Sequence, residues 1–222
     1  MSDDSVPTTI STSDGEQLEA EVAVPPQAFA GVVITHPHPT YGGSMYTPVP
    51  AALFAKAAEL GMAAVRFNFR GVGRSTGLHD EGRGERLDVA AAVAHLRAQL
   101  PQGPIFLAGW SFGADVALAV AGDDVAGWLC VAAPLAVVPV EEMAAPDADE
   151  PKLLLVPEHD QFRTPEDART ATASWRNTRV EVVPSTDHFL AGGLGAVGDA
   201  LARFVEDHRG PRFAVCSVTS PP

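Results

Sequence analysis

The sequence predicts an α/β domain, with a mostly parallel sheet, helices on both faces and an antiparallel hairpin at its start. Three observations carry this. Short apolar runs alternate along the chain with longer runs of helical period. From residue 30 onward the short runs are too apolar to leave one face in water, as strands covered on both sides must be. One of them, Pro104–Ala108, leads through Gly109-Trp110-Ser111-Phe112-Gly113 into an alanine-rich helical run, Ala114–Ala121.

Each element has its own signal. Thr8–Val24 alternates weakly around an Asp14-Gly15 turn, which predicts the hairpin, and Pro25-Pro26 ends it. Ala30–Thr35 is the first strand expected to be buried on both faces. A loop rich in His, Pro and Gly follows, from His36 to Tyr46. Val49–Leu60 has helical period and is closed by Gly61. Met62–Phe69 returns to strand. Arg70–Ser75 is a glycine-rich turn; it lacks G-K-[ST] and no helix starts at once, so it reads as a tight connection and not a nucleotide site. Glu85–Leu100 is an amphipathic helix stopped by Pro101. After the central strand and its helix come a strand at Val125–Ala132, a proline-rich acidic loop at Ala133–Pro151 and a strand at Lys152–Val156. A helix follows at Pro165–Arg176, with Thr164 as N-cap and Pro165 at the first helical position. A strand at Arg179–Val183 and a helix at Ala196–His208 complete the pattern. No segment repeats. The expectation is one domain over residues 8–209, with residues 1–7 a flexible tail and 210–222 a C-terminal tail.

At 222 residues the chain supports one sizeable core. Its net charge of −13 argues against nucleic acid and anionic membrane surfaces, which attract basic patches. Cys130 falls in an apolar run and Cys216 in the tail, so no structural disulfide is expected. Met1–Pro7 has neither a basic n-region nor an apolar h-region. No apolar run reaches the roughly 18–20 residues that span a bilayer. A cytoplasmic location is therefore expected.

Chemistry centres on Ser111. Strand, glycine, serine, glycine, helix is the pattern of a nucleophile elbow. A side chain at 109 or 113 would collide across so tight a bend. The hydroxyl is thereby lifted above a helix N-terminus, where N–H groups lack partners. Asp115, in the first turn of that helix, suits the helix dipole. A serine needs a base, commonly a histidine oriented by a carboxylate, and both belong in loops at the carboxyl ends of strands. His159 and His188 follow the elbow in loops, and the order Ser…Asp/Glu…His favours His188. Asp160, directly after the strand at 152–156, is the first choice of acid; Glu158 comes next, then Glu141 or Glu142. Asp187 is too near the base in sequence, and His208 suits the end of the last helix. The oxyanion needs two N–H donors. Phe112 supplies one. For the other, in the loop after the first buried strand, Pro37 and Pro39 have no N–H, so His38 leads, ahead of Thr40 and Tyr41. His36 and His38 also form an H-x-H pair that a metal could use, but the spacing offers no third ligand.

These stretches resemble the α/β-hydrolase superfamily, and within it a small lidless serine-hydrolase group marked by a His-Pro-His-Pro loop. The resemblance is carried by Ile34–Met45, Arg66–Ser75 and Leu107–Gly113, and runs from about residue 8 to 208. It implies Ser111, Asp160 and His188 as the triad and His38 with Phe112 as the oxyanion hole. It also implies that the short Ala133–Pro151 stretch stands where many relatives insert a helical cap. The site should then be open, with Tyr41, Trp110, Phe162 and Phe189 as candidate lining residues. The expected activity is hydrolysis of a carboxylic ester on a small-molecule acyl substrate, with no metal or organic cofactor. Amide, peptide or thioester hydrolysis uses the same machinery, and a ligand-binding protein on a hydrolase scaffold is the non-catalytic alternative. Monomer and homodimer both stay open.

Overall fold

The computed structural model describes residues 5–208. Its chain alternates strands β1 (Val6–Ser11), β2 (Gln17–Ala23), β3 (Gly31–Thr35), β4 (Ala63–Phe67), β5 (Ile105–Trp110), β6 (Val125–Val131), β7 (Lys152–Pro157) and β8 (Thr178–Val183) with helices α1 (Pro48–Glu59), α2 (Glu85–Gln99), α3 (Phe112–Leu118), α4 (Pro165–Ala171) and α5 (Leu194–Asp207). The strands form one sheet in the order β1-β2-β4-β3-β5-β6-β7-β8. β1–β2 and β2–β4 pair antiparallel, and every other pair is parallel. The N-terminal hairpin turns at Gly15, whose φ of +98° suits a residue without Cβ.

Alternation along each inner strand feeds two cores. Val33, Val65, Leu107, Cys130 and Leu154 point to one face, where α2, α3 and Ala168 of α4 cover them. Val32, Ile34, Ala64, Phe106, Ala108, Leu129 and Leu153 point to the other, under α1 and α5. The helices thus lie on both faces, as the apolar strands require.

Several boundaries move. β1 begins at Val6, inside the stretch expected to be a tail, and Val6 and Pro7 pair with Val22 and Glu21. An edge strand tolerates a proline because one row of its N–H groups has no partner to lose. The helix expected over Ala114–Ala121 starts at Phe112 and stops at Leu118, whose carbonyl accepts Ala144 N–H from the following loop. The helix expected over Pro165–Arg176 ends at Ala171. There Thr172 Oγ1 bonds back to Ala168 O, Trp175 turns inward and Arg176 N–H donates to Pro146 O. Thr164 caps its start by accepting Asp167 N–H, with Pro165 next. Residues 133–151 hold only two single 3-10 turns, Val140–Glu142 and Ala145–Asp147. The tail at 210–222, including Cys216, lies outside the described residues; Cys130 is a free, buried thiol. Among the described residues no helix is long and apolar enough to cross a membrane.

The glycine-rich turn after β4 is a structural tie. The Arg70 guanidinium reaches the buried Asp88 carboxylate of α2 at 2.7 Å and Asp14 of the hairpin turn at 2.9 Å. The Arg70 N–H also donates to Asp88.

Candidate active site

β5 delivers Ser111 to a backbone that few side chains adopt, φ +55° and ψ −121°. Such a residue must be held from outside. Ser111 N–H donates to Val131 O of β6, and Ser111 O accepts Ala114 N–H. A Cβ at Gly109 would stand 2.7 Å from Ala114 Cα, and one at Gly113 2.5 Å from His36 O. The buried Thr35 hydroxyl, at the end of β3, fills the remaining gap and donates to Gly113 O at 2.9 Å. The two glycines are there because three strand ends meet the helix start at this bend.

The loops after β7 and β8 bring two side chains to the hydroxyl. His188 Nε2 lies 2.9 Å from Ser111 Oγ. Its Nδ1 lies 2.9 and 3.1 Å from the two oxygens of Asp160. Asp160 and His188 are buried, while Ser111 is partly exposed. Asp160 Oδ1 also accepts the N–H groups of Phe162 and Arg163, at 2.8 and 3.2 Å, so the acid organises its own loop. Gln161 Oε1 accepts His188 N–H. Among the other candidate acids, Glu141 is exposed. Glu158 is exposed and accepts Ser185 N–H, Glu142 pairs with Arg86, and Asp187 accepts Phe189 N–H. Among the other histidines, His159 is exposed and His208 Nδ1 bonds Phe204 O at the end of α5.

On the opposite side of β5, the loop after β3 places His38 before the 3-10 turn Pro39–Tyr41, its ring 5.0 Å from that of Phe112. His38 Nδ1 accepts Thr40 N–H, which leaves its proton on Nε2. Burial, then the neighbouring His79, lowers its pKa. His36 is committed at both nitrogens: Nδ1 donates to Pro37 O at 2.6 Å and Nε2 accepts Phe69 N–H at 3.0 Å. Burial pushes its pKa down to about 4. A neutral ring with no free lone pair cannot ligate a metal, so the H-x-H reading loses its first member.

The expected lining residues divide. Trp110 is corrected: only 6% exposed, it packs into the core and its Nε1–H donates to His188 O at 3.2 Å. It braces the His188 loop from beneath. Tyr41, Phe162 and Phe189 are exposed by 86, 65 and 62%. The Phe162 ring is 4.4 Å from that of His188, Phe189 is 5.8 Å from it, and Tyr41 is 4.8 Å from His38. Phe162 and Phe189 thus flank the His188 ring and Tyr41 that of His38, all three turned to solvent.

Two features escaped sequence reasoning. Asp115 is fully buried, and its carboxylate accepts the consecutive N–H groups of Leu135, Ala136 and Val137, all at 2.9 Å. Burial pushes its carboxyl up to about 6 against those three donors. The same loop receives the Arg163 guanidinium on Pro134 O and Leu135 O. A chain of contacts thus runs from the elbow helix through Asp115 and Arg163 to the Asp160 loop. The signal was available: an aspartate amid Ala, Val and Leu must find donors when buried. The second is a carboxylate–imidazole pair, Glu85 with His79, at 2.7 Å.

Comparison with known proteins gives the fold family. A family model described as "alpha/beta hydrolase fold" matches residues 37–126. The structure of an α/β serine hydrolase homologue from Coxiella burnetii superposes with a TM-score of 0.79 at 31% identity, covering 89% of this chain and 96% of that one. XC6422 from Xanthomonas campestris, an α/β serine hydrolase without lid, gives 0.82 at 29% identity over 93% of this chain and 96% of its own. Uncharacterized protein RP471 of Rickettsia prowazekii (strain Madrid E) is 38% identical over 87 residues, 39% of this chain. This chain spans only 37% of that relative's length.

Proposed function

Because the chain belongs to the α/β-hydrolase family, we propose that it is a serine hydrolase that cleaves a carboxylic ester through an acyl-enzyme. The observation that carries this is the unbroken relay from Asp160 through His188 to Ser111, 2.9 Å at each step.

In this reading Ser111 Oγ attacks the acyl carbon while His188 Nε2 takes its proton. Asp160 keeps the imidazole in the Nδ1–H tautomer and stabilises the imidazolium that forms. The negative charge grows on the former carbonyl oxygen. Phe112 N–H, at the first position of α3 and so without an intrahelical acceptor, meets it together with His38 N–H, whose flanking prolines have none to give. Collapse returns the His188 proton to the leaving alcohol. Water then attacks the acyl carbon and gives its proton to His188; collapse breaks the bond to Ser111, returns that proton to Ser111 Oγ and frees the acid.

The exposed rings of Tyr41, Phe162 and Phe189 favour a substrate with an apolar portion laid across the mouth of the site. Such a portion would cover rings that water now faces.

The test is turnover of a short-chain p-nitrophenyl ester. Ser111→Ala should lower kcat by about 10³-fold or more with an unchanged circular dichroism spectrum. Equal activity in the folded variant would refute the proposal.

A further inference from the structure

We infer that the Glu85–His79 pair is a positioning device for the oxyanion hole, holding the loop of His38 and the elbow residue Phe112 in mutual register. This inference rests on the proposed function, which assigns the hole to those two residues.

The connection between β4 and α2 contributes nothing to the Asp160–His188–Ser111 relay, yet it carries a fully buried carboxylate. Glu85, the first residue of α2, has no exposed surface. Its Oε1 accepts His79 Nδ1–H at 2.7 Å and Asp80 N–H at 2.9 Å; Oε2 accepts Gly82 N–H at 2.9 Å. Burying a carboxylate is unfavourable unless its oxygens are well bonded. Here the bonds go to one short turn and to one ring, so the group fixes where that ring stands.

The ring stands against both halves of the hole. The His79 centroid is 4.9 Å from that of His38 and 5.3 Å from that of Phe112, and His38 and Phe112 are 5.0 Å apart. The three rings touch pairwise, with interplanar angles of 52–56°. Phe112 is backed in turn by Phe69, at 5.5 Å, whose N–H is held by His36. His38 comes from the loop after β3 and Phe112 from the elbow. Among the described residues His79 is the one ring outside those two segments that contacts both. Its anchor to α2 therefore ties two independent loops to a helix packed on the sheet.

Register matters here because an oxyanion hole acts through donors already aimed at the charge when it develops, and displacement of one by about 1 Å forfeits much of its effect. A brace that acts on the donors affects the transition state and leaves ground-state binding alone. Its loss should therefore appear in kcat and not in KM.

The experiment compares His79→Ala, Glu85→Gln and His79→Phe with the unaltered chain. Each is assayed on a short-chain p-nitrophenyl ester and for inhibition by a trifluoromethyl ketone, whose adduct with the serine carries an oxyanion. His79→Ala should lower kcat about tenfold, below the ~10²–10³ lost when one donor is removed outright. KM should stay within about twofold, and ketone affinity should weaken by the same factor as kcat. Glu85→Gln, which leaves the ring and weakens its anchor by removing the charge and setting an amide N–H against one of the donors the carboxylate accepts, should show a smaller loss in the same two readings. His79→Phe, which returns a ring without the Nδ1–H that Glu85 holds, should recover only part of the loss. A fall in melting temperature with unchanged kcat and ketone affinity would overturn the inference, since that is what a purely structural contact gives. If His79→Ala does not fold, Glu85→Gln alone decides, by the same criteria. Normal turnover in the unaltered chain with no effect of either variant overturns this inference alone. Absence of Ser111-dependent turnover in the unaltered chain overturns it together with the proposed function.

Discussion

Two carboxylate–imidazole pairs stand on either side of β5, one ending on a hydroxyl and the other among aromatic rings. They are built alike. Asp160 and Glu85 are both buried, each accepts an imidazole Nδ1–H, and each accepts two backbone N–H groups of its own turn. They differ in what stands next. His188 Nε2 meets Ser111 Oγ, whereas the His79 ring packs on His38 and Phe112. The difference teaches that an acid-oriented imidazole is a means of fixing a ring. The group that ring is brought to, a hydroxyl at His188 and two aromatic rings at His79, is what sets the two pairs apart.

The sharpest way to break this comparison is to neutralise each acid in turn. Asp160→Asn should lower kcat by about 10³–10⁴, because the amide favours the wrong imidazole tautomer. Glu85→Gln should cost about tenfold at most. Equal losses, measured on folded protein with the same ester, would erase the distinction.

A middle-sized effect concerns the tie behind the Asp160 side. Asp115 carries a carboxyl raised to about 6 from the ordinary 3.8. The native state therefore holds that proton more tightly than the unfolded chain. Its contribution to stability is fully present below about pH 4 and is lost as pH rises through 6. Relative to Asp115→Asn, the unaltered chain should lose about 3 kcal/mol of unfolding free energy between pH 4 and 7. Urea titrations of both proteins across that range measure it, and a pH-independent difference would contradict the assignment.

The smallest effect is on the base loop. Trp110→Phe removes the indole donor to His188 O and leaves a buried carbonyl unpaired, worth about 1 kcal/mol. A melting-temperature drop of a few degrees with at most a severalfold fall in kcat is expected. A loss as large as that of Asp160→Asn would show that this brace has been undervalued.

What the sequence made legible follows from where local chemistry is decisive. The elbow could be read because only glycine fits on both sides of Ser111, and the clashes at 109 and 113 give the reason. Asp160 and His188 could be named because an α/β sheet sends its loops to one end, and the strands before them were evident as apolar runs. β1 could not be placed at its start, since Val6 and Pro7 pair only at an edge and carry no alternation of their own. The ends of α3 and α4 were set by tertiary contacts, Ala144 on Leu118 and Trp175 in the core, which helical period does not register. Trp110 packs into the core, and a tryptophan beside Ser111 looks the same in sequence whether it faces solvent or the sheet. The Glu85–His79 pair was hidden by its setting: Glu85 opens a helix legible only by its amphipathic period, and His79 lies between that helix and the Arg70–Ser75 turn, where the sequence has no period.

The central claim is that the turn at 111 presents an activated nucleophile. The most direct measurement is labelling of the intact chain with a fluorophosphonate probe, followed by mass mapping of the adduct. The account predicts a single adduct on Ser111 that disappears in Ser111→Ala and forms far more slowly in His188→Ala. Absence of an adduct on Ser111, or equal labelling of Ser111→Ala, would contradict it and leave a ligand-binding protein on a hydrolase scaffold.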